Sequence, residues 1–328
     1  MSAQILISGA SGFLGKHLVE QLRARGDGPL RLLNYGPCPW EAAEDREILD
    51  GDITRSDDVE RAMEGCRQVY HLAGAVSRDP RDKRKLYEIH VGGTRNVCEA
   101  ALKYRPERVL AVSSSGTVAV SKAPRLWTEA DGYRVDLPPH WHYYLSKIEA
   151  EKLAFDYQRR KGLPIVVANP ALLLGPGDDL GSSTGDVALF LQGKVMAAPL
   201  GGMSFVDARD AAAGLIAAME RGQVGERYLM GVANWSFREF LDRLGQVTGI
   251  RPPLFQPPLS FSLWSARLLR RILPLVGGSF PMDDVTIEMS SWYWYCDSTK
   301  AERELGFRPR DPMETLRDTV DYIRSRSS

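Results

Sequence analysis

The sequence predicts an α/β fold, a doubly wound parallel sheet joined to a smaller, interleaved lobe in the C-terminal part of the chain. Three observations predict it. Short apolar runs alternate with helical patterns through the first half of the chain, as in successive β-α-β units. A glycine-rich turn joins the first strand to the first helix. The length, 328 residues, exceeds that of one small domain, so a second lobe is expected.

The first strand is the apolar run from Ile5, and it leads into a helical pattern across Gly9, Gly12 and Gly15, spaced G-x-x-G-x-x-G. A chain that turns sharply favours a residue without a Cβ at Gly9. Gly12 then lets a pyrophosphate approach the main chain, Gly15 lets the helix pack on its strand, and the helix N-terminus faces the phosphates. This Rossmann-type motif predicts a dinucleotide site. The alternative is a tight turn that binds no ligand.

The rest of the chain continues the alternation of strands and helices. We predict further strands at residues 30–33, 48–53, 68–75, 108–112, 165–168 and 227–231. Helices are predicted at residues 57–63, around 91–101, at 141–161 and around 211–219, with a charged surface loop at 78–85. We assign residues 1–170, to which 204–232 return, to the dinucleotide-binding domain, and residues 171–203 and 233–328 to a substrate-binding lobe.

Composition narrows the functional classes. Lys plus Arg and Asp plus Glu both number 42, so nothing in the net charge favours a nucleic-acid partner. The four cysteines lack the spacing of a metal site, and we predict no metal. We expect no signal peptide, because residues 1–4 lead straight into the first strand, and we interpret the cysteines as reduced packing residues of a cytoplasmic protein.

The second strand ends where a dinucleotide's adenosine ribose is normally recognised, and Asn34 and Tyr35 stand there. An acidic residue would bind the 2′-hydroxyl of NAD and a basic one the 2′-phosphate of NADP, and Asn34 does neither strongly. Arg31 and Arg46 could reach a 2′-phosphate, although a solvated surface charge is the commoner role. We predict NAD(P)(H), leaning towards NADPH.

Tyr143 and Lys147 are four residues apart at the start of a predicted helix and so share one of its faces. Tyrosine, with a pKa near 10, is a poor base at neutrality, but a nearby ammonium stabilises its phenolate. Such a tyrosine can give a proton to a ketone oxygen or take one from an alcohol. Tyr157 and Lys161 match the same spacing, but no serine cluster lies at a suitable separation, so we predict that they face solvent.

Three serines, Ser113, Ser114 and Ser115, follow the strand at residues 108–112. A hydroxyl at this edge can hydrogen-bond a substrate carbonyl and complete a Ser–Tyr–Lys set beside a nicotinamide. The alternative is that the serines are turn and cap residues.

Motifs along almost the whole chain occur in a characteristic order. They are residues 8–15 (SGASGFLG), 51–53 (GDI), 71–74 (HLAG), 93–97 (GTRNV), 112–115 (VSSS), 143–147 (YYLSK), 169–170 (NP), 175–178 (GPGD) and 301–306 (AERELG). Together they resemble the extended short-chain dehydrogenase/reductases, the NAD-dependent epimerase/dehydratase family. Within it the chain is most similar to the dihydroflavonol reductase and 3β-hydroxysteroid dehydrogenase-like branch.

The resemblance implies that Ser115 and Tyr143 are catalytic, and that Lys147 binds the nicotinamide ribose and lowers the tyrosine pKa. It implies that Asp52 and Ile53 flank the adenine and that Asn169 and Pro170 lie near the carboxamide. With the glycine motif, the predicted cofactor contacts are Gly9, Ser11, Gly12, Phe13, Leu14, Gly15, Asn34, Asp52, Ile53, Leu72, Ala73, Gly74, Ser113, Tyr143, Lys147, Asn169 and Pro170.

Two departures from the family pattern are informative. His90 stands where the family usually has an asparagine that organises a proton-relay water, so the sequence does not decide whether this chain has that relay. The alternative is that His90 is a histidine of the core. Met203 stands where nucleotide-sugar enzymes carry an arginine, and a diphosphate buried without a cation is costly. Apolar and aromatic lobe residues also favour a flat, apolar carbonyl compound, although each singly fits a core: Trp127, Trp141, Tyr144, Met203, Phe205, Met282, Trp292 and Trp294.

The sequence therefore predicts an NAD(P)H-dependent oxidoreductase that interconverts a ketone and a secondary alcohol on an apolar or polycyclic small molecule. The alternatives are a nucleotide-sugar epimerase or dehydratase, and a dinucleotide-binding sensor without catalysis. A homodimer through the helices at residues 93–102 and 143–157 is expected. Residues 259–276 predict an amphipathic helix that covers the active site or, alternatively, makes a weak contact with a membrane surface.

Overall fold

A computed structural model describes residues 4–272 and 282–327. Seven parallel strands form the main sheet in the order β3-β2-β1-β4-β5-β6-β9, which confirms the predicted α/β doubly wound fold. The strands are β1 (Ile5–Ser8), β2 (Leu30–Asn34), β3 (Arg46–Asp50), β4 (Gln68–His71), β5 (Arg108–Val112), β6 (Ile165–Pro170), β7 (Leu172–Leu174), β8 (Gly202–Asp207), β9 (Arg227–Met230), β10 (Ala233–Ser236) and β11 (Tyr293–Trp294). The strand order reverses between β1 and β4, which opens a crevice at their carboxyl ends.

Helices cover both faces of this sheet. They are α1 (Phe13–Ala24), α2 (Ser56–Met63), α3 (Lys83–Tyr87), α4 (Gly93–Tyr104), α5 (His142–Lys161), α6 (Gly185–Leu191), α7 (Ala208–Arg221), α8 (Phe237–Thr248), α9 (Leu259–Ile272), α10 (Asp284–Met289), α11 (Thr299–Leu305) and α12 (Pro312–Ser327). One face packs against α1 and α7, and the other against α2, α4 and α5. No helix in the described ranges is long and apolar enough to cross a membrane.

The second lobe is built on a small sheet around β8. Strand β10 pairs with β8 antiparallel, whereas β7 and β11 run parallel to it. Because β8 (Gly202–Asp207) belongs to this sheet, the chain returns to the main sheet at Ala208, not at residue 204 as predicted. Helix α7 and strand β9 make that return, so the lobe is interleaved with the sheet as expected.

Several predicted boundaries differ from the structure. Strand β3 ends at Asp50 and β4 at His71, so Asp52 and the residues from Leu72 onward lie in the loops beyond those strands. The segment predicted as a loop at residues 78–85 instead enters helix α3 at Lys83. Its charges support the helix locally, since Arg84 pairs with Glu88 one turn later, at 2.6 Å. Helix α9 ends its described part at Ile272, and the predicted residues 273–276 lie outside the described ranges.

Gly15 fixes how closely α1 packs on the preceding turn. A Cβ at Gly15 would lie 2.2 Å from the Gly9 carbonyl oxygen and 2.7 Å from that of Ala10. These neighbours are backbone atoms of a tight turn, so they cannot move aside without displacing the turn.

We therefore expect Gly15→Ala to lower the free energy of unfolding by about 1–3 kcal/mol, because overpacking forces the backbone apart. The measurement is urea denaturation. The matched control is Gly185→Ala, whose added Cβ would meet nothing within 4 Å. Equal stabilities for the two variants would contradict the close packing of α1.

Candidate active site

The glycine turn has the geometry of an anion-binding cradle. Gly9 has a φ of 77°, and a Cβ there would lie 2.7 Å from the Ala73 backbone nitrogen, so the turn needs glycine on two grounds. At Gly12 an added Cβ would meet only the Gly9 carbonyl oxygen within 4 Å, at 3.3 Å. Gly12 caps α1 without a side chain, and the first turn carries no acidic residue. The N–H groups of that turn, including those of Phe13 and Leu14, therefore suit a phosphate.

Asn34, Asp52 and Ile53 build the end of the crevice that is predicted to hold the adenosine. Asn34 is buried and its Nδ2 donates to the Gly36 carbonyl at 2.7 Å, while its Oδ1 has no partner. Asp52 accepts from the Thr54 N–H at 2.8 Å, and Ile53 packs against Gly93. The buried, unpaired Asn34 oxygen is an acceptor that suits a hydroxyl better than a phosphate.

Neither arginine considered for a 2′-phosphate is free to bind one. Arg31 pairs with Glu47 at 2.8 Å and donates to the carbonyls of Ala62 and Glu64. Arg46 donates to the Glu41 carbonyl at 2.6 Å. The residues on which a preference for NADPH could rest are therefore engaged elsewhere.

Tyr143 lies in the first turn of α5, and Lys147 one turn later faces the carboxyl end of the sheet. The Lys147 ammonium donates to the Val112 carbonyl at 3.1 Å. A Cβ at Gly74 would lie 3.3 Å from Lys147 Nζ and 3.4 Å from His90 Nε2, so glycine leaves the ammonium accessible from the loop after β4. The structure thus brings Leu72, Ala73 and Gly74 to the same edge as Lys147.

Ser114 is the serine whose side chain acts on the Tyr143 phenol. Ser114 also caps the short turn Ser115–Thr117, accepting from the Gly116 N–H. Ser115, the predicted catalytic serine, lies buried inside that turn, whereas Ser114 is partly exposed. The turn thus makes Ser114 a second candidate for the catalytic hydroxyl, beside the predicted Ser115.

Burial raises the pKa of the Tyr143 phenol, Tyr144 raises it further, and the hydrogen bond from Ser114 opposes them. This direction is opposite to the predicted lowering by Lys147, because the phenol is poorly solvated. Burial lowers the pKa of Lys147 to about 8, while the Glu151 carboxylate acts to raise it. At neutral pH the site therefore holds a protonated phenol, a proton donor, beside a charged ammonium.

Two buried histidines flank Lys147. His90 Nε2 accepts from the Ala75 N–H at 3.2 Å, which assigns its proton to Nδ1 for donation to Ser146 Oγ at 2.8 Å. Ser146 in turn donates to the Tyr143 carbonyl at 2.9 Å. Burial and then the Lys147 charge lower the pKa of His90 to about 2, so the ring is neutral. Through its two hydrogen bonds it connects the loop after β4 to α5.

The buried His71 ring connects two elements in a similar way, β1 and α4. Its ring nitrogens lie 2.9 Å from Ser8 Oγ and 3.3 Å from Thr94 Oγ1, and burial lowers its pKa to about 3. A cavity of about 20 Å³ separates this ring from the Lys147 region, and Ser113 lines it. The Ser113 hydroxyl is buried and unpaired, so one water in this cavity would satisfy it.

The buried carboxylate of Glu151 was missed by sequence reasoning. It accepts from Asn169 Nδ2 at 2.9 Å and Thr117 Oγ1 at 3.2 Å, and it pairs with Arg227 at 3.2 Å. Asn169 Nδ2 also donates to the Ser114 carbonyl at 3.1 Å, so this predicted cofactor contact uses its amide group to hold the serine turn. Pro170 is buried beside it at the end of β6. The spacing Tyr143, Lys147, Glu151 on one helix face was the available signal.

The predicted apolar and aromatic residues lie in three places. Tyr144 and Trp294 are partly exposed beside Tyr143, with the Tyr144 and Trp294 rings 4.7 Å apart, and Trp141 and Trp292 are buried behind them. Met203 and Phe205 instead lie in the core of the second lobe. Trp127 is buried beneath the guanidinium groups of Arg125 and Arg134. The second Y-x-x-x-K pair is remote, since the half-buried Tyr157 hydroxyl bonds Glu99 and Lys161 is exposed.

Comparisons with known proteins agree with this geometry. The family model described as "NAD dependent epimerase/dehydratase family" matches residues 5–231. The chain is 30% identical to a putative dihydroflavonol 4-reductase from Synechocystis, covering 99% of this chain and 96% of that protein. It is also 30% identical to sterol demethylase protein B from Methylococcus capsulatus, covering 98% of each. Its fold matches that of UDP-glucose 4-epimerase from Thermotoga maritima, with a TM-score of 0.76 and 21% identity over 99% of this chain and 100% of that one.

The charge of Glu151 should affect the pH at which Lys147 titrates. Since Glu151 acts to raise the pKa of Lys147, we expect Glu151→Gln to lower that pKa by about one pH unit, which corresponds to ~1.4 kcal/mol. The measurement is a pH titration of side-chain amines by NMR with isotope-labelled lysine, with the Lys147 signal assigned by Lys147→Met.

The matched control is Glu149→Gln on the exposed side of the same helix, where the carboxylate pairs with Lys152 instead. It should leave the Lys147 midpoint unchanged. A Glu151→Gln midpoint equal to that of the parent protein would remove Glu151 from the electrostatics of the site.

Proposed function

The chain belongs to the NAD-dependent epimerase/dehydratase family of extended short-chain dehydrogenase/reductases, and from that premise we propose that it interconverts a ketone and a secondary alcohol on an apolar small molecule. The observation that carries the proposal is the Tyr143 phenol. It is kept protonated by burial, hydrogen-bonded to Ser114 and followed one helical turn later by the Lys147 ammonium.

The residues present fit a nicotinamide dinucleotide. The open cradle at Gly12 accepts the pyrophosphate, with Gly9, Ser11, Phe13, Leu14 and Gly15 forming the turn around it. Asn34, Asp52 and Ile53 would hold the adenosine, and Leu72, Ala73 and Gly74 would line the path to Lys147. When bound, the cofactor supplies a hydride to the substrate carbon or removes one from it. The free acceptor at Asn34 and the occupied arginines give no support to the expected preference for NADPH.

In the proposed reduction, Tyr143 donates its phenolic proton to the carbonyl oxygen as that oxygen gains charge. Ser114 holds the same oxygen by a hydrogen bond, and the Lys147 ammonium stabilises the phenolate that remains. Oxidation runs these proton movements in reverse. The buried Glu151 keeps Lys147 charged, so its role is to position charge and not to touch the substrate.

The substrate class follows from the side chains beside the phenol. Tyr144 and Trp294 present aromatic surface next to Tyr143, which suits a flat, apolar carbonyl compound. Relatives that are named reductases and a sterol-processing protein support this class. Met203 is buried in the lobe core, so its presence does not by itself disfavour a sugar nucleotide.

We also propose a homodimer through α4 and α5 in a reducing, cytoplasmic compartment. The two helices pack side by side, and their exposed faces carry Arg95, Glu99, Lys103 and Lys152, so a contact there would be largely polar. The four cysteines are free thiols, which suits a reducing compartment.

Replacement of the proposed acid tests the chemistry directly. We expect Tyr143→Phe to reduce kcat by about 100-fold or more on any accepted ketone, since the oxygen loses its proton donor. The assay follows the absorbance of NADH or NADPH with a panel of hydrophobic ketones, and Tyr157→Phe serves as the control that keeps normal turnover.

Three results would redirect the proposal. Near-normal turnover by Tyr143→Phe would remove Tyr143 as the acid. Tightly bound NAD with thermal stabilisation by UDP- or dTDP-sugars and no ketone reduction would indicate an epimerase or dehydratase. Dinucleotide binding without turnover on any carbonyl compound would indicate a sensor.

Replacement of Ser114 and of Ser115, one at a time, tests which of the two supplies the catalytic hydroxyl. We expect Ser114→Ala to lower kcat by about 10- to 100-fold and Ser115→Ala to change it much less. Since the Ser114 hydrogen bond acts to lower the pKa of the phenol, its loss raises that pKa further, and the pH profile of alcohol oxidation should move to higher pH. The reverse order of effects would restore Ser115 as the catalytic hydroxyl.

A further inference from the structure

Helix α9 presents an apolar stripe to solvent. Phe261, Trp264, Leu268 and Ile272 are 45%, 61%, 40% and 46% exposed and are spaced by three, four and four residues, so they share one face. Ala266, on the opposite side, is only 1% exposed, and that side packs against α10. The helix is therefore held from within the lobe, while its outer face is largely open to solvent in the part of the chain that the structure describes.

The stripe continues into the segment before α9. Leu254 and Phe255 are 85% and 58% exposed. The ring centroids of Phe255 and Phe261 lie 6.0 Å apart, and those of Phe261 and Trp264 lie 5.9 Å apart. These side chains form one connected surface, which we call the α9 patch: Leu254, Phe255, Phe261, Trp264, Leu268 and Ile272. A connected patch of large apolar side chains is uncommon on a protein surface that contacts only water.

The charged residues of α9 and of the segment before it are all arginines. Residues 243–282 contain five arginines and no aspartate or glutamate. Arg267 and Arg270 both pair with Asp284, which fixes the helix on α10. Arg251 and Arg271 are exposed, and neither has an ion-pair partner among the described residues. By helical geometry Arg271 borders the apolar stripe, three residues after Leu268.

We propose that the α9 patch docks this protein on the surface of an anionic phospholipid membrane. A helix with an exposed apolar face, a tryptophan and flanking arginines lies in the plane of the interface, with its apolar side chains among the acyl chains and its cations at the headgroups. The local excess of arginine selects anionic lipid. The segregation of charge is what favours a membrane over a second copy of this chain, which would bring like charges together.

The docked helix lies close to the proposed substrate site. Helix α9 packs on α10, where Glu288 accepts from Trp141 Nε1 at 3.2 Å and the Met289 carbonyl accepts from Trp294 Nε1 at 3.1 Å. The Trp294 ring contacts Tyr144, beside Tyr143. If the proposed function holds, docking would bring the membrane, and an apolar substrate dissolved in it, close to the catalytic phenol, with only α10 between α9 and the residues beside Tyr143. Docking itself does not depend on the reaction.

The test measures binding of the full chain to vesicles without substrate or cofactor. Vesicles of phosphatidylcholine alone are compared with vesicles that also contain phosphatidylglycerol, by co-flotation. We expect binding to the anionic vesicles, and quenching of tryptophan fluorescence by brominated lipid. Trp264→Ser with Leu268→Ser should weaken binding about tenfold or more, and Arg271→Glu should weaken binding to anionic vesicles in particular.

Leu180→Ser is the matched control, because Leu180 is 92% exposed but lies outside the α9 patch. Circular dichroism and thermal unfolding show that each variant is folded. Absence of binding by the parent protein, or equal binding by the patch variant and the control, would overturn the proposal. So would a concentration-dependent self-association that the patch variant abolishes in sedimentation, since a second copy would then cover the patch.

Discussion

The burial of Lys147 is the constraint on which the rest of the site depends. An ammonium taken out of water is costly unless nearby groups replace its hydration. The Val112 carbonyl accepts one of its hydrogen bonds, and Glu151 supplies an opposite charge from the next turn of α5. The neighbouring histidines must then be neutral, as the lowered pKa of each shows. The cation is thus compensated by one carboxylate and tolerated by two uncharged rings.

That compensation links distant parts of the fold. Glu151 is held by Asn169 at the end of β6, by Thr117 in the serine turn and by Arg227 at the start of β9. The hydroxyl of Ser114 and the charge of Lys147 are therefore set by the same buried cluster. Because β9 follows the excursion of the chain into the second lobe, the chemistry of the main sheet depends on residues that lie far apart in sequence.

The sequence predicted best those features that depend on local pattern. The turn at Gly9, the helix that carries Tyr143 and Lys147, and the strands β1, β5 and β6 all follow from spacing within a dozen residues. It predicted poorly those that depend on long-range contacts. Whether Ser114 or Ser115 reaches the phenol depends on one short turn. Arg31 is engaged by Glu47 and by two carbonyls that no spacing rule connects to it. The burial of Met203 in the second sheet needed the pairing of β8 with β10.

The two ends of the active-site crevice differ in the same way, because one is formed by local backbone geometry and the other by side chains from distant parts of the chain. The cofactor side is formed by backbone, since the cradle at Gly12 and the close approach of Gly9 to Ala73 require only the absence of a Cβ. Such a cradle suits a phosphate in one position, and it tolerates few substitutions of its glycines. The proposed substrate side is formed by side chains of Tyr144 and Trp294, supported by α10 and, through it, by α9. Trp294 and the helices α10 and α9 lie outside α5, so this part of the surface can change without disturbing the Lys147 cluster. A common reaction can then be combined with different substrates and with a surface such as the α9 patch.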